Sequence, residues 1–143
     1  MRKLKLVAIV AMLFTVVLAP LVQASEGDLK AELRSVVTDV LDAKEVEEIN
    51  GYMDQIHPKS PLYSTAQQRI GNLMDKYDLK YELSSFSYIG ESGEFQLARV
   101  SQSIRKISGY QFRDRMLDGI WIFRKSGEAW KMWLQVTLKK SFI

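Results

Sequence analysis

The chain has 143 residues, with 20 Lys and Arg, 17 Asp and Glu, one His, no Cys and a formal charge of +3. Without cysteine no disulfide can brace the fold, so stability must come from burial. The surplus of positive charge is Arg2, Lys3 and Lys5; taking these three from 20 leaves 17 basic against 17 acidic groups after residue 24, which gives no general attraction to nucleic acid.

Residues 1–24 read as a secretory signal: a basic start, an apolar run from Leu6 to Ala19, and Val22-Gln23-Ala24 as a small-residue cleavage pattern. Pro20 interrupts the run, which argues against a retained membrane span. The expectation is an exported protein, periplasmic or extracellular, beginning at Ser25 and keeping no stable membrane anchor. Removing 24 residues from 143 leaves 119, one domain at 25–143 with no linker, repeat or low-complexity tract. Its charge is uneven. Residues 25–98 hold 7 basic and 14 acidic groups, whereas 99–143 hold 10 and 3, so acidic helices are expected against a basic sheet.

Leu29, Leu33, Val36, Val37 and Val40 recur at helical spacing and predict a helix over 28–41. Asp42 and Glu45 have the spacing of a capping box for a second helix carrying Val46, Ile49, Tyr52, Met53 and Ile56, which Pro58 ends. Thr65 and Gln68 form another such pair ahead of a third helix with Ile70, Leu73, Met74 and Tyr77 on its buried face. From residue 79 the period shortens to two. Four strands are predicted, at about 79–89, 94–106, 113–124 and 128–140, joined by turns at "GESG", "SGYQF" and "KSGE". Tyr81 and Leu83 have one parity and Phe86 and Tyr88 the other, which predicts a bulge near Ser84-Ser85. In the last strand Trp130, Met132, Leu134, Val136 and Leu138 alternate and are expected to face the core, leaving Trp133, Gln135 and Thr137 on the outer face. Helices followed by an antiparallel meander define an α+β fold, with N-terminal helices packed on a curved four-stranded sheet.

The hairpin "MLDGIWIFRKSGEAWKMW", residues 116–133, joins a hydrophobic strand, a short glycine turn and a Trp-Lys-apolar step. With the helices before it and the final strand, this resembles the nuclear transport factor 2-like superfamily, also called SnoaL-like or cystatin-like, over about residues 28–140. The resemblance implies a cone-like α+β barrel with a pocket at the helix ends, and pairing of subunits through the outer sheet face. It also implies two kinds of function: acid–base catalysis, as in ketosteroid isomerase, dehydratases and polyketide cyclases, or simple binding. In place of the strand that usually follows the second helix stands "PKSPLYSTAQQ", so the cone is expected to be smaller or differently lidded.

Acid–base chemistry needs a carboxylate or imidazole facing a hydrogen-bond donor. The candidates are Asp118 in the third strand, and His57 with Asp54 one helical turn before it; Tyr52, Tyr81 and Tyr88 are candidate donors or ligand-binding groups. His57 also reads more simply as the residue where a helix stops, its imidazole complementing the helix dipole, and Asp118 as a member of a cross-strand pair. With no second His and no Cys, a transition-metal site would rest on carboxylates alone, and neither a metal nor a cofactor is expected. GxSxG, HExxH, P-loop and GxGxxG patterns are absent from the sequence. The expectation is therefore a domain that binds a small apolar ligand or a partner protein and forms a homodimer through Trp133, Gln135 and Thr137. The alternative is an isomerase, dehydratase or cyclase.

Overall fold

In the computed structural model, residues 25–143 are described; the expected signal segment lies outside the described residues. Three helices, α1 (Glu26–Glu45), α2 (Ile49–Asp54) and α3 (Tyr63–Lys76), precede four strands, β1 (Tyr77–Ser92), β2 (Phe95–Gly109), β3 (Arg115–Ser126) and β4 (Ala129–Phe142). The strands pair antiparallel in the order β1-β2-β3-β4. The helices pack against one face of this curved sheet, the expected α+β arrangement.

Helix α1 begins where the Ser25 hydroxyl accepts a hydrogen bond from the Asp28 N–H (3.2 Å). It does not stop at Leu41, and Asp42 caps nothing: the helix runs through "DAKE", because none of these residues breaks a helix and Ala43 continues the buried face. The end comes at Glu47, whose φ of 60° is left-handed. There the Glu48 N–H reaches the Ala43 carbonyl (2.9 Å) and the Glu47 N–H the Lys44 carbonyl (3.3 Å), a Schellman closure with glutamate where glycine is usual. Helix α2 is consequently only six residues long. Thr65 likewise lies inside α3 instead of capping it; the Ser60 hydroxyl accepts from the Leu62 N–H (3.1 Å) one residue before the helix begins.

Leu33, Val37 and Val40 of α1 are fully buried with Ala98, Val100 and Phe123 of the sheet and with Ile56. Each large side chain removed from water in this way stabilises the fold by about 1.5–3 kcal/mol. Ile56 also pairs with Met132 as a one-residue parallel bridge. The His57 N–H donates to the Met132 carbonyl and the Met132 N–H to the Gln55 carbonyl, both at 2.8 Å, so the segment after α2 covers part of the exposed edge of β4.

The meander contains the expected bulge at Ser84, but two further bulges in β4 overturn the expected faces of that strand. Phe123 pairs with Met132 and Ile122 with Leu134, leaving Trp133 as an extra residue; Leu138 is a second extra residue between Thr137 and Lys139. Each inserted residue flips the stretch after it to the other side of the sheet. Trp130 and Met132 face the helices as expected, whereas Leu134, Val136 and Leu138 do not, and Val136 and Leu138 are 46% and 52% exposed. Gln135 instead pairs with buried Trp121, and Thr137 with Gly119, so both turn toward the helices and away from the outer face.

Candidate functional site

The bulge at Trp133 turns Gln135 and Thr137 to the side of β4 that faces the helices. A cleft of about 210 Å³ lies between the α2–α3 segment and β4. Ile56, Ala66 and Met132 are its apolar lining; Tyr52, Thr65 and Arg69 from the helix side and Gln135 and Thr137 from the strand side are its polar lining. The helix side follows from spacing: Leu62, Thr65, Ala66 and Arg69 fall on one face of α3. The strand side follows from the register, since without the bulge Gln135 and Thr137 would point away. Among the described residues no carboxylate and no imidazole lines the cleft, and no group of three His, Asp or Glu is placed to hold a metal.

Behind Tyr52 sits a polar cluster within the core. The Lys44 ammonium lies 5.6 Å from the centre of the Tyr52 ring and 5.2 Å from that of Tyr81, a cation–π pair of contacts in place of an acidic partner. Burial lowers the Lys44 pKa to about 8. Burial also raises both tyrosines. In Tyr52 the positive charge of Arg69 opposes this, and in Tyr81 the proximity of Tyr52 adds to it. The two hydroxyls thus stay protonated donors well beyond neutral pH. Deeper on the same inner face, the Gln102 Oε1 is buried without a hydrogen-bond partner among the described residues.

Of the candidates read from sequence, Tyr52 and Tyr81 come together, whereas Tyr88 stands apart with its hydroxyl donating to the Gln96 Oε1 (2.5 Å). Asp118 points to the outer face of the sheet, accepting from the Arg99 Nε (2.8 Å) and the Ser101 hydroxyl (3.0 Å). The Arg99 guanidinium above all holds its carboxyl down at about 2, the reverse of what a general base at neutral pH requires.

His57 lies beyond the end of α2 and is 4% exposed. The Lys59 N–H donates to its Nδ1 (3.0 Å), which leaves the proton on Nε2, and Nε2 donates to the Lys125 carbonyl (3.0 Å). Both ring nitrogens are thus engaged by backbone groups, and the buried ring is held in place at the end of α2. Asp54 is exposed and does not orient it. The Trp133 ring packs edge-on to His57 (5.1 Å between centroids), tilts against Phe95 (5.5 Å) and lies beside the Arg124 guanidinium (4.9 Å).

The residues missed in sequence are Lys44 and Arg69. Lys44 had a visible signal, since it continues the buried stripe Leu33, Val37, Val40 by one more helical turn. Arg69 had one too, three residues after buried Ala66 and so beside it at the border of the buried face of α3.

Solved structures with this arrangement identify the fold. A nuclear transport factor 2-like protein of unknown function from Pseudomonas putida superposes with a TM-score of 0.63 at 13% identity, covering 76% of this chain and 84% of its own. A protein of unknown function with a cystatin-like fold from Nostoc punctiforme gives 0.62 at 10%, covering 79% and 91%. Bd1075 from Bdellovibrio bacteriovorus gives 0.63 at 21%; the match covers 80% of this chain and 42% of that one. The class is therefore the nuclear transport factor 2-like, cystatin-like α+β fold. Within it, the sequence profile of the C-terminal domain of anti-sigma-I factor RsgI9 matches residues 35–143, and the chain belongs to that family. No curated protein matches the chain significantly in sequence.

Proposed function

We propose that this chain is an exported binding domain that takes a small, largely apolar ligand into the cleft between α3 and β4. The observation that carries the reading is the composition of that cleft: apolar side chains, several polar groups from both its sides, and no carboxylate or imidazole among the described residues that line it. The volume of about 210 Å³ lies below the roughly 300–1,000 Å³ of sites for drug-sized ligands, which favours a small molecule. The family adds context: the matched domain is the C-terminal part of an anti-sigma factor, and the binding role rests on the cleft itself. Against the acid–base alternative stand the pairing of Asp118 with Arg99 on the outer face and the engagement of both His57 ring nitrogens by backbone groups. We also propose a homodimer formed through the outer sheet face, with Val136 and Leu138 at the contact in place of Gln135 and Thr137.

Native mass spectrometry of the exported protein tests the reading. The expected species starts at Ser25 and carries a small noncovalent adduct that Ala66→Trp, which fills the cleft, displaces. Protein starting at Met1 in the exported fraction would overturn the address, and an adduct indifferent to Ala66→Trp would overturn the site.

A further inference from the structure

We infer that the cleft selects ligands ending in a carboxylate, with Arg69 as the counter-charge; this rests on the cleft being the binding site. Arg69 takes part in none of the ion pairs among the described residues, although Arg99 and Arg124 on the outer face are both matched to acids. The other polar groups around the cleft, the hydroxyls of Tyr52, Thr65 and Thr137 and the amide of Gln135, are neutral, and no acidic side chain lines it. The Thr65 hydroxyl already donates to the Leu62 carbonyl and the Gln135 amide to the Met132 sulfur, so the cleft combines one positive charge matched to no acid with the hydroxyls of Tyr52 and Thr137 beside apolar side chains. Arg69 lies close enough to Tyr52 for its charge to oppose the upward shift of that hydroxyl, so both would face one headgroup. Guanidinium matches a carboxylate in a two-point hydrogen bond, and a hydroxyl donor completes the set. The apolar lining of Ile56, Ala66 and Met132 would take a short alkyl chain. An acidic peptide surface would not enter a cleft of about 210 Å³.

The probe pair is hexanoate and hexanamide, equal in length and differing in charge, titrated into ¹⁵N-labelled protein. Hexanoate is expected to shift the amide signals of Ala66 and Gln135 in a saturable way and to bind about tenfold more tightly than hexanamide, the ratio of one charge-assisted hydrogen-bond pair. Arg69→Gln should weaken hexanoate by about tenfold and leave hexanamide unchanged, while Arg69→Lys recovers part of the loss. Because Arg69 is exposed at the helix surface, these variants keep the fold, and an unchanged Tm verifies that. Equal binding of the two probes, indifferent to Arg69→Gln, would overturn the carboxylate preference and leave the cleft standing as a binding site. Failure of both probes to shift the cleft residues would overturn both.

Discussion

Lys44 and the two tyrosines beside it make the stability of this protein depend on pH in an unusual direction. A lysine whose folded pKa is lowered to about 8 binds its proton less readily in the folded chain than in the unfolded one, where the value is about 10.4. Between those values the unfolded state holds more protons, so stability rises with pH. Tyr52 and Tyr81 act in the opposite sense. Their folded values are raised, so their contribution is complete below the unfolded value of about 10 and is lost as pH climbs above it. The urea midpoint should therefore climb from pH 7.5 to a maximum between about 9 and 10 and then fall, and Lys44→Met should abolish the climb while keeping the fall. A wild-type midpoint that declines steadily from pH 7.5 would show that the ammonium is not desolvated. His57 sets a second test at this scale. Its Nε2 bond to the Lys125 carbonyl ties the segment after α2 to the β3–β4 hairpin, while the Lys59 N–H bond to Nδ1 orders that segment locally, so His57→Ala should cost about 2 kcal/mol in urea unfolding. A loss below about 0.5 kcal/mol would return His57 to the role of a simple helix stop.

Strand β4 shows what alternation conveys and what it omits. The strands and the Ser84 bulge were legible because period two changes phase visibly between Leu83 and Phe86. In β4 the apolar residues Trp130, Met132, Leu134, Val136 and Leu138 keep perfect phase in sequence, yet the bulge at Trp133 sends the first two to the core and the others outward. An inserted residue flips the chain without altering the written pattern whenever both faces are partly apolar. The α1–α2 boundary was misread for a related reason: Asp42 and Glu45 have cap spacing, but a cap forms only where the backbone leaves the helix, and that happens at Glu47. The site inherited both limits. Tyr52 was legible as a polar-tipped aromatic on a helix, whereas Gln135 and Thr137 reach the cleft only through the bulge. Gly119 was the overlooked sign, because a glycine inside a strand marks a close backbone approach. A Cβ there would collide with the Val136 carbonyl oxygen and stand 3.1 Å from the Thr137 Cα, both backbone atoms that cannot swing aside. Gly119→Ala should thus lower stability by at least about 2 kcal/mol and disturb the cleft signals of Thr137, whereas Gly93→Ala, with open space around it, should disturb only its own turn. A Gly119→Ala protein as stable as the wild type would mean that β4 does not cross so closely.

For the molecule as a whole, the outer face of the sheet remains uncovered. Leu97, Ile122 and Leu134 form one row across β2, β3 and β4, with Ile120 and Val136 beside it. The helices occupy the other side; on this face Val136 is exposed and the other four side chains are partly buried, with the Arg99–Asp118 and Arg124–Glu94 pairs on the same side of the sheet. A contiguous apolar sheet face of this kind marks a contact surface, and a second copy supplies one of matching shape by placing the same rows against themselves across a two-fold axis. In the dimer we propose, Trp133 is not the anchor, since its ring already packs on His57, Phe95 and Arg124. Val136, 46% exposed within the patch, is better placed. Sedimentation at about 20 µM should accordingly find a wild-type dimer, as expected for an interface burying roughly 800 Å² on each subunit. Val136→Lys should give a folded monomer with Tm lowered only by the lost association, while Trp133→Lys should lower the Tm of the subunit itself. A wild-type monomer at that concentration, or a Val136→Lys protein that still dimerises, would mean that the patch meets a different partner.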